Sequence, residues 1–208
     1  MKKMSELEKD ALNEITNIFS YRSSIALEKL IKGNVELSVN NKQIVSLGGL
    51  EYSQKSPLMY LGIYSNIRES NLKGNVLLAF PKESALYIYD RLVDNESSTT
   101  KIVDDDVKNV LGEVGNVVTG NILGVLNKLL GIDCMHTIPS VVPSFGEQLY
   151  DFVYFDVEED KKKAILVEVD TTFKLDDMEI KGESILLLTH DSFENLLIAI
   201  KEKAGEIK

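Results

Sequence analysis

The chain has 208 residues, of which 44% are hydrophobic and 27% charged, so it can bury a sizeable core and is not a disordered polymer. Lys and Arg number 23 against 33 Asp and Glu, a net charge of −10 that argues against nucleic-acid binding, which needs a basic surface to displace counterions. One cysteine, Cys134, excludes an internal disulfide, and two histidines, His136 and His190, exclude a histidine-rich metal site. The amino terminus, MKKMSELEKDALNEI, shows charge without an apolar run, so no secretion signal is expected and the protein is placed in the cytoplasm. A long helix is read over 10–31. Strands follow over 34–39 and 43–48, with a turn at Asn40-Asn41, then over 57–65 and 73–80. Pro81 opens a short helix over 82–93, and the polar stretch Asp94 to Thr100 is a joint. A second long helix spans 109–130. Strands are read over 135–142, 151–158, 163–173 and 179–188, before a closing helix over 191–204 with an Asp or Thr cap. The longest uncharged helical run, Val114 to Asn127, is too short to span a bilayer, so no membrane contact is expected.

These elements repeat. At an offset of 99, Leu12, Glu14, Asn17, Leu27, Lys29 and Leu30 recur as Leu111, Glu113, Asn116, Leu126, Lys128 and Leu129. At an offset of 108, Lys73-Gly74 and its apolar strand recur as Lys181-Gly182 and theirs. The chain therefore reads as one α+β domain over 1–208, built from halves at about 1–96 and 101–208. Pseudo-twofold symmetry is expected, with two long helices packed on a largely antiparallel sheet. A built-in pseudo-dimer favours a monomer over a dimer.

A helical wheel places Val107, Leu111, Val114, Val118, Ile122, Val125 and Leu129 on one buried stripe of the second helix. Opposite lie Asn109, Glu113, Asn116, Gly120, Gly124 and Asn127. A solvated face ordinarily carries Lys, Glu, Gln and Arg, and each glycine costs a helix about 1 kcal/mol relative to alanine. Either another backbone approaches closely, or a bulky partner needs a flat strip, or the glycines are tolerated accidents. On the first helix the same stripe reads Asp10, Glu14, Asn17, Tyr21, Ile25 and Glu28.

Glu and Asn three residues apart sit on adjacent turns and can reach one target. No histidine or cysteine adjoins them in sequence, which removes nucleophilic and triad chemistry. A carboxamide cannot take a proton, but it can fix a water by donating and accepting hydrogen bonds. Such a face makes sense as the missing part of an active centre that another molecule has already activated. The bland alternative is an N-capping Asn109 with a solvated Glu113 and Asn116.

Asp10-x3-Glu14-x2-Asn17 and Asn109-x3-Glu113-x2-Asn116-x22-Pro139 resemble the paired signature of the CheC/CheX/FliY phosphatases of bacterial and archaeal chemotaxis. The runs from Lys73, Gly115 and Ile180 are similar to that family too, and the two-helix layout resembles CheC more than the shorter, one-site CheX. The resemblance implies hydrolysis of the aspartyl-phosphate on a CheY-type response regulator. Asn17 or Asn116 would orient the attacking water, and Glu14 or Glu113 would contact the regulator. Asp10, Asn109, Gly120, Gly124 and Pro139 would serve binding. The Mg²⁺ would belong to the partner, so neither a metal site nor a cofactor is expected in this chain. CheC-like proteins also bind the receptor deamidase CheD, a second expected partner. The first copy departs from the pattern, with Asn40 in place of the proline, Thr16 before Asn17, and Tyr21-Arg22 for Gly-Asn. The second copy departs only in Asn109, where Asp or Ser is usual, so it ranks as the active one. The rival reading is a non-catalytic module, like the middle domain of the flagellar switch protein FliM, that binds a response regulator or CheD.

The remaining signals read as structure. Asp104-Asp105-Asp106 suits a helix N-terminus, Lys161-Lys162-Lys163 a hairpin tip, Cys134 a small core residue, and His136 a sheet residue without catalytic duty.

Overall fold

A computed structural model describes residues 6–46, 58–68, 72–96, 99–145, 148–149, 165–175 and 178–206. Helix α1 (Glu6–Ile31) leads into β1 (Val35–Ser46), β2 (Met59–Arg68), β3 (Gly74–Pro81) and α2 (Lys82–Leu92). Helix α3 (Asp105–Leu130) leads into β4 (Met135–His136), β5 (Ser140–Phe145), β6 (Ile165–Leu175), β7 (Met178–Leu188) and α4 (His190–Glu206). The strands form one sheet in the order β1-β6-β7-β3-β2-β4, with β5 also paired to β2, and every pairing is antiparallel. The fold is thus α+β with long helices on an antiparallel sheet, as the sequence pattern predicts.

Strand β3 shows why its sequence is a continuous apolar run. Val76, Leu78 and Phe80 enter the main core under the helices, whereas Leu77 and Ala79 face a smaller cluster with Leu149, Ile185 and Leu187 on the opposite side. Burial on both faces removes the alternation that a half-exposed strand displays. The repeated Lys-Gly pairs mark close approaches beside this strand. A Cβ on Gly74 would stand 2.0 Å from the Leu187 carbonyl oxygen, and one on Gly182 would meet the Phe80 ring at 2.6 Å. Strands β3 and β7 can therefore lie side by side, Gly74 opposite Leu188, only because these two positions lack side chains.

Two strand boundaries differ from the sequence reading. The predicted turn at Asn40-Asn41 does not form; β1 runs straight through it and pairs with β6 over its whole length. The register instead shifts between Val39 and Asn41, so Asn40 is the extra residue of a β-bulge. The strand expected over 135–142 is broken, with β4 and β5 separated by Thr137, Ile138 and Pro139. Strand 151–158, the lysine run and part of the Asp94–Thr100 joint lie outside the described residues.

Caps explain the helix ends. Asp104 caps α3 through a 3.0 Å bond from the Val107 amide to its Oδ1, and Gly131, at φ 67, ends the same helix in the left-handed conformation. The helix thus begins before Asn109, which lies in its second turn and is not the N-cap. Thr189 caps α4, its Oγ1 accepting from the Ser192 amide at 3.2 Å. Among the described residues no helix is long and apolar enough to cross a membrane.

Candidate functional site

The start of α3 is fastened to α2. Asp106 accepts a 2.6 Å hydrogen bond from the Tyr89 hydroxyl, which pushes the phenol up to about 12. The buried Asp90 carboxylate holds the residues just before α3. It accepts from the Thr99 amide at 3.0 Å, the Thr100 amide at 3.2 Å and the Thr100 hydroxyl, with a longer 3.5 Å contact from Asn95 Nδ2. Burial alone would raise that carboxyl, but the hydrogen bonds from Thr100, Asn95 and Thr99 outweigh it and hold the group below the usual carboxylate range. Asp105 pairs with Lys108 at 2.9 Å, so the three consecutive acids have three separate duties.

From this fixed start the helix sorts its faces as the wheel predicts. Val107, Leu111, Val114, Val118, Ile122 and Val125 are buried, while Leu129 is half-buried near the C-terminal end. Asn109, Glu113, Asn116, Gly120, Gly124 and Asn127 are all exposed. Among the described residues, the side chains of Asn109, Glu113 and Asn116 have no hydrogen-bond or ion-pair partner.

The glycines of α3 divide into two kinds. A Cβ on buried Gly115 would stand 2.3 Å from Ile63 Cγ2 and 3.3 Å from Pro139 Cβ. Glycine there lets α3 lie directly on β2 and on the proline, and this fixes the backbone of the adjacent Asn116. Gly124 has nothing within 4 Å of such a Cβ, and Gly120 only His136 Nε2 at 3.6 Å. Nothing described in the chain's own fold requires these two to be small.

On α1, Asp10, Glu14, Asn17, Tyr21, Ile25 and Glu28 are likewise exposed, Tyr21 by 68% and Ile25 by 37%. Asp10, Glu14 and Asn17 have no partner among the described residues. Thr16 occupies the buried position before Asn17, and its carbonyl accepts a 2.9 Å bond from the Ser20 hydroxyl. The proline counterpart, Asn40, lies at the β1 bulge. The structure therefore brings Glu113, Asn116 and Pro139 together around Gly115. The α1 copy has Asn40, not a proline, at the corresponding position.

His136 is a sheet residue, as expected, yet its ring reaches the exposed side of α3 beside Gly120. Twenty positions separate it from Asn116, and only the β4 pairing with β2 brings it back, so local spacing carries no trace of it. Cys134 is half-buried, its thiol 3.7 Å from the Leu123 carbonyl oxygen, and burial with the nearby Asp133 pushes it up to about 11.

The family model "Chemotaxis phosphatase CheX" matches residues 66–151, a span that holds α3 and Pro139 and leaves out α1. The CheY-P phosphatase CheC of Bacillus subtilis (strain 168) is 22% identical over 201 residues, covering 95% of both chains. Together these matches make the chain similar to the chemotaxis phosphatases, to CheX across α3 and to CheC along nearly its whole length. The FliY structure from Thermotoga maritima superposes with a TM-score of 0.76 at 18% identity, covering 96% of this chain and 98% of that one. FliM from H. pylori, solved in a complex with SpeE, superposes at 0.68 and 15% identity, covering 97% and 98%. At such identities the two structures show a shared fold.

Proposed function

We propose that this chain hydrolyses the aspartyl-phosphate of a CheY-type response regulator, and that the α3 face is the principal site. The observation that carries the reading is the unpartnered Glu113–Asn116 pair, held beside Gly115 and Pro139 on an otherwise small-residue face. In the reaction a water attacks phosphorus, the bond from phosphorus to the aspartyl oxygen breaks, and inorganic phosphate leaves a free carboxylate on the regulator. Asn116 orients that water, donating from its amide nitrogen and accepting at its oxygen. Glu113 contacts the regulator beside the phosphoryl group, by its similarity to the family signature. Asn109, Gly120, Gly124 and Pro139 form the landing surface, and Asp10, Glu14 and Asn17 form a second, weaker site on α1. Mg²⁺ comes with the regulator, where it neutralises developing charge on the phosphoryl oxygens.

The same reading treats 1–208 as one domain of two related halves. The sheet order supports it: exchanging β1, β2 and β3 for β5, β6 and β7 turns the order β1-β6-β7-β3-β2-β5 into its own reverse. The test of function is the decay of a CheY-type regulator labelled with acetyl phosphate, with and without the full chain. Acceleration over the regulator's own decay is expected. The shared fold with FliM favours one rival, a non-catalytic module that binds a regulator or CheD; it gains if the chain binds the activated regulator and leaves its decay unchanged.

A further inference from the structure

The segment from β4 to Pro139 runs back along α3. His136 lies beside Gly120 and Pro139 beside Gly112 and Gly115, so the segment passes Asn116 in the direction opposite to the helix. Thr137 clamps it to β2: its amide donates to the Asn66 carbonyl at 2.9 Å, and its hydroxyl oxygen accepts from the Asn66 amide at 3.0 Å. The His136 Nδ1 atom lies 2.9 Å from the Thr137 carbonyl oxygen. A carbonyl can only accept, so Nδ1 donates and the neutral ring keeps its lone pair on Nε2. Nε2 faces Gly120 and has no hydrogen-bond partner among the described residues. Gly120 is exposed, on the same stripe as Glu113 and Asn116, so Nε2 opens toward the face that carries the acid and the amide.

We infer that His136 is a further contact residue of the α3 site, its Nε2 accepting a hydrogen bond from an N–H or O–H group of the docked regulator through the opening at Gly120. The inference rests on the α3 face being the docking surface proposed above. His136 touches neither phosphorus nor water in this arrangement, so it is a positioning residue. A methyl group at residue 120 would stand in ordinary contact with Nε2, tolerated by the fold yet covering the nitrogen.

The test uses the full chain with a CheY-type regulator in two assays: direct binding to the regulator activated with beryllium fluoride and Mg²⁺, and steady-state hydrolysis of the phosphorylated form. His136→Ala and Gly120→Ala should each raise Kd and KM about fivefold, the scale of one net hydrogen bond, with kcat within about twofold. His136→Gln, whose amide oxygen can stand in for Nε2, should recover most of the binding. Unchanged Kd in His136→Ala overturns the inference whatever Gly120→Ala does, as does a loss confined to kcat. Wild-type binding that depends on His136 without any hydrolysis supports the contact and sinks the phosphatase reading. No binding by the wild type overturns both. If His136→Ala fails to fold, His136→Phe, which keeps the ring's bulk and lacks the acceptor nitrogen, takes its place.

Discussion

Helices α1 and α3 are each 26 residues long and expose the same Glu and Asn at the same spacing, yet they are set against the sheet by different means. Helix α3 presses a bare backbone, at Gly115, onto Ile63 and Pro139. Helix α1 buries Thr16 at that level and turns two serine hydroxyls back onto its own carbonyls, Ser20 to Thr16 at 2.9 Å and Ser24 to Ser20 at 3.0 Å. Beyond the acid and the amide, α3 offers two open glycines, whereas α1 offers Tyr21 and Ile25. The lesson is that helical spacing alone presents the pair, but access to it depends on the next two turns and on the strand segment alongside. Equal residues do not make equal surroundings.

The sharpest way to break this comparison is to remove each amide in turn. Asn116→Ala should slow regulator dephosphorylation by roughly 100-fold, the scale of losing a positioned water, while Asn17→Ala should change it by less than about threefold. Stopped assays of phosphate remaining on the regulator give both rates, and the opposite pattern would reverse the ranking of the helices. Next in size comes the Asp90 anchor just before α3. Asp90→Ala strips the Thr99 and Thr100 amides of their acceptor and should cost about 2 kcal/mol in urea unfolding. The pH dependence has a definite sign. The folded Asp90 carboxyl titrates below its ordinary 3.8, so its stabilisation is present above that value and is lost as pH falls through the folded-state value. Asp90→Asn should therefore flatten the acid limb of the stability curve, and an unaltered limb would count against the anchor.

Much of this was legible in the sequence because it is local. Periodicity alone placed the buried stripe of α3 and all six exposed positions opposite, from Asn109 to Asn127. The Lys-Gly repeats flagged β3 and β7, although the reason for their glycines, contact across the pair, is visible only in the fold. What failed were features decided by distant partners. Asn40-Asn41 carries strong turn chemistry, but β6 supplies a continuous ladder and the extra residue is absorbed as a bulge. The acidic triplet could not reveal that Tyr89 on another helix would claim Asp106. His136 escaped for the same reason, since β-pairing rather than spacing carries it to α3.

Two glycine substitutions give the smaller effects and separate packing from access. Gly115→Ala forces a methyl group toward Ile63, a branched side chain with little freedom to move away, and should destabilise by roughly 1–2 kcal/mol despite the better helix propensity. Gly124→Ala meets nothing within 4 Å, so helix propensity alone acts and the protein should gain just under about 1 kcal/mol. If the open stretch serves a docked regulator, that more stable variant should nonetheless bind the beryllium fluoride-activated form more weakly. Calorimetric midpoints and binding isotherms on the same sample would then move in opposite directions. Gains in both would mean that Gly124 lies outside the docking surface, and the contrast with Ile25 on α1 would shrink to a difference of composition.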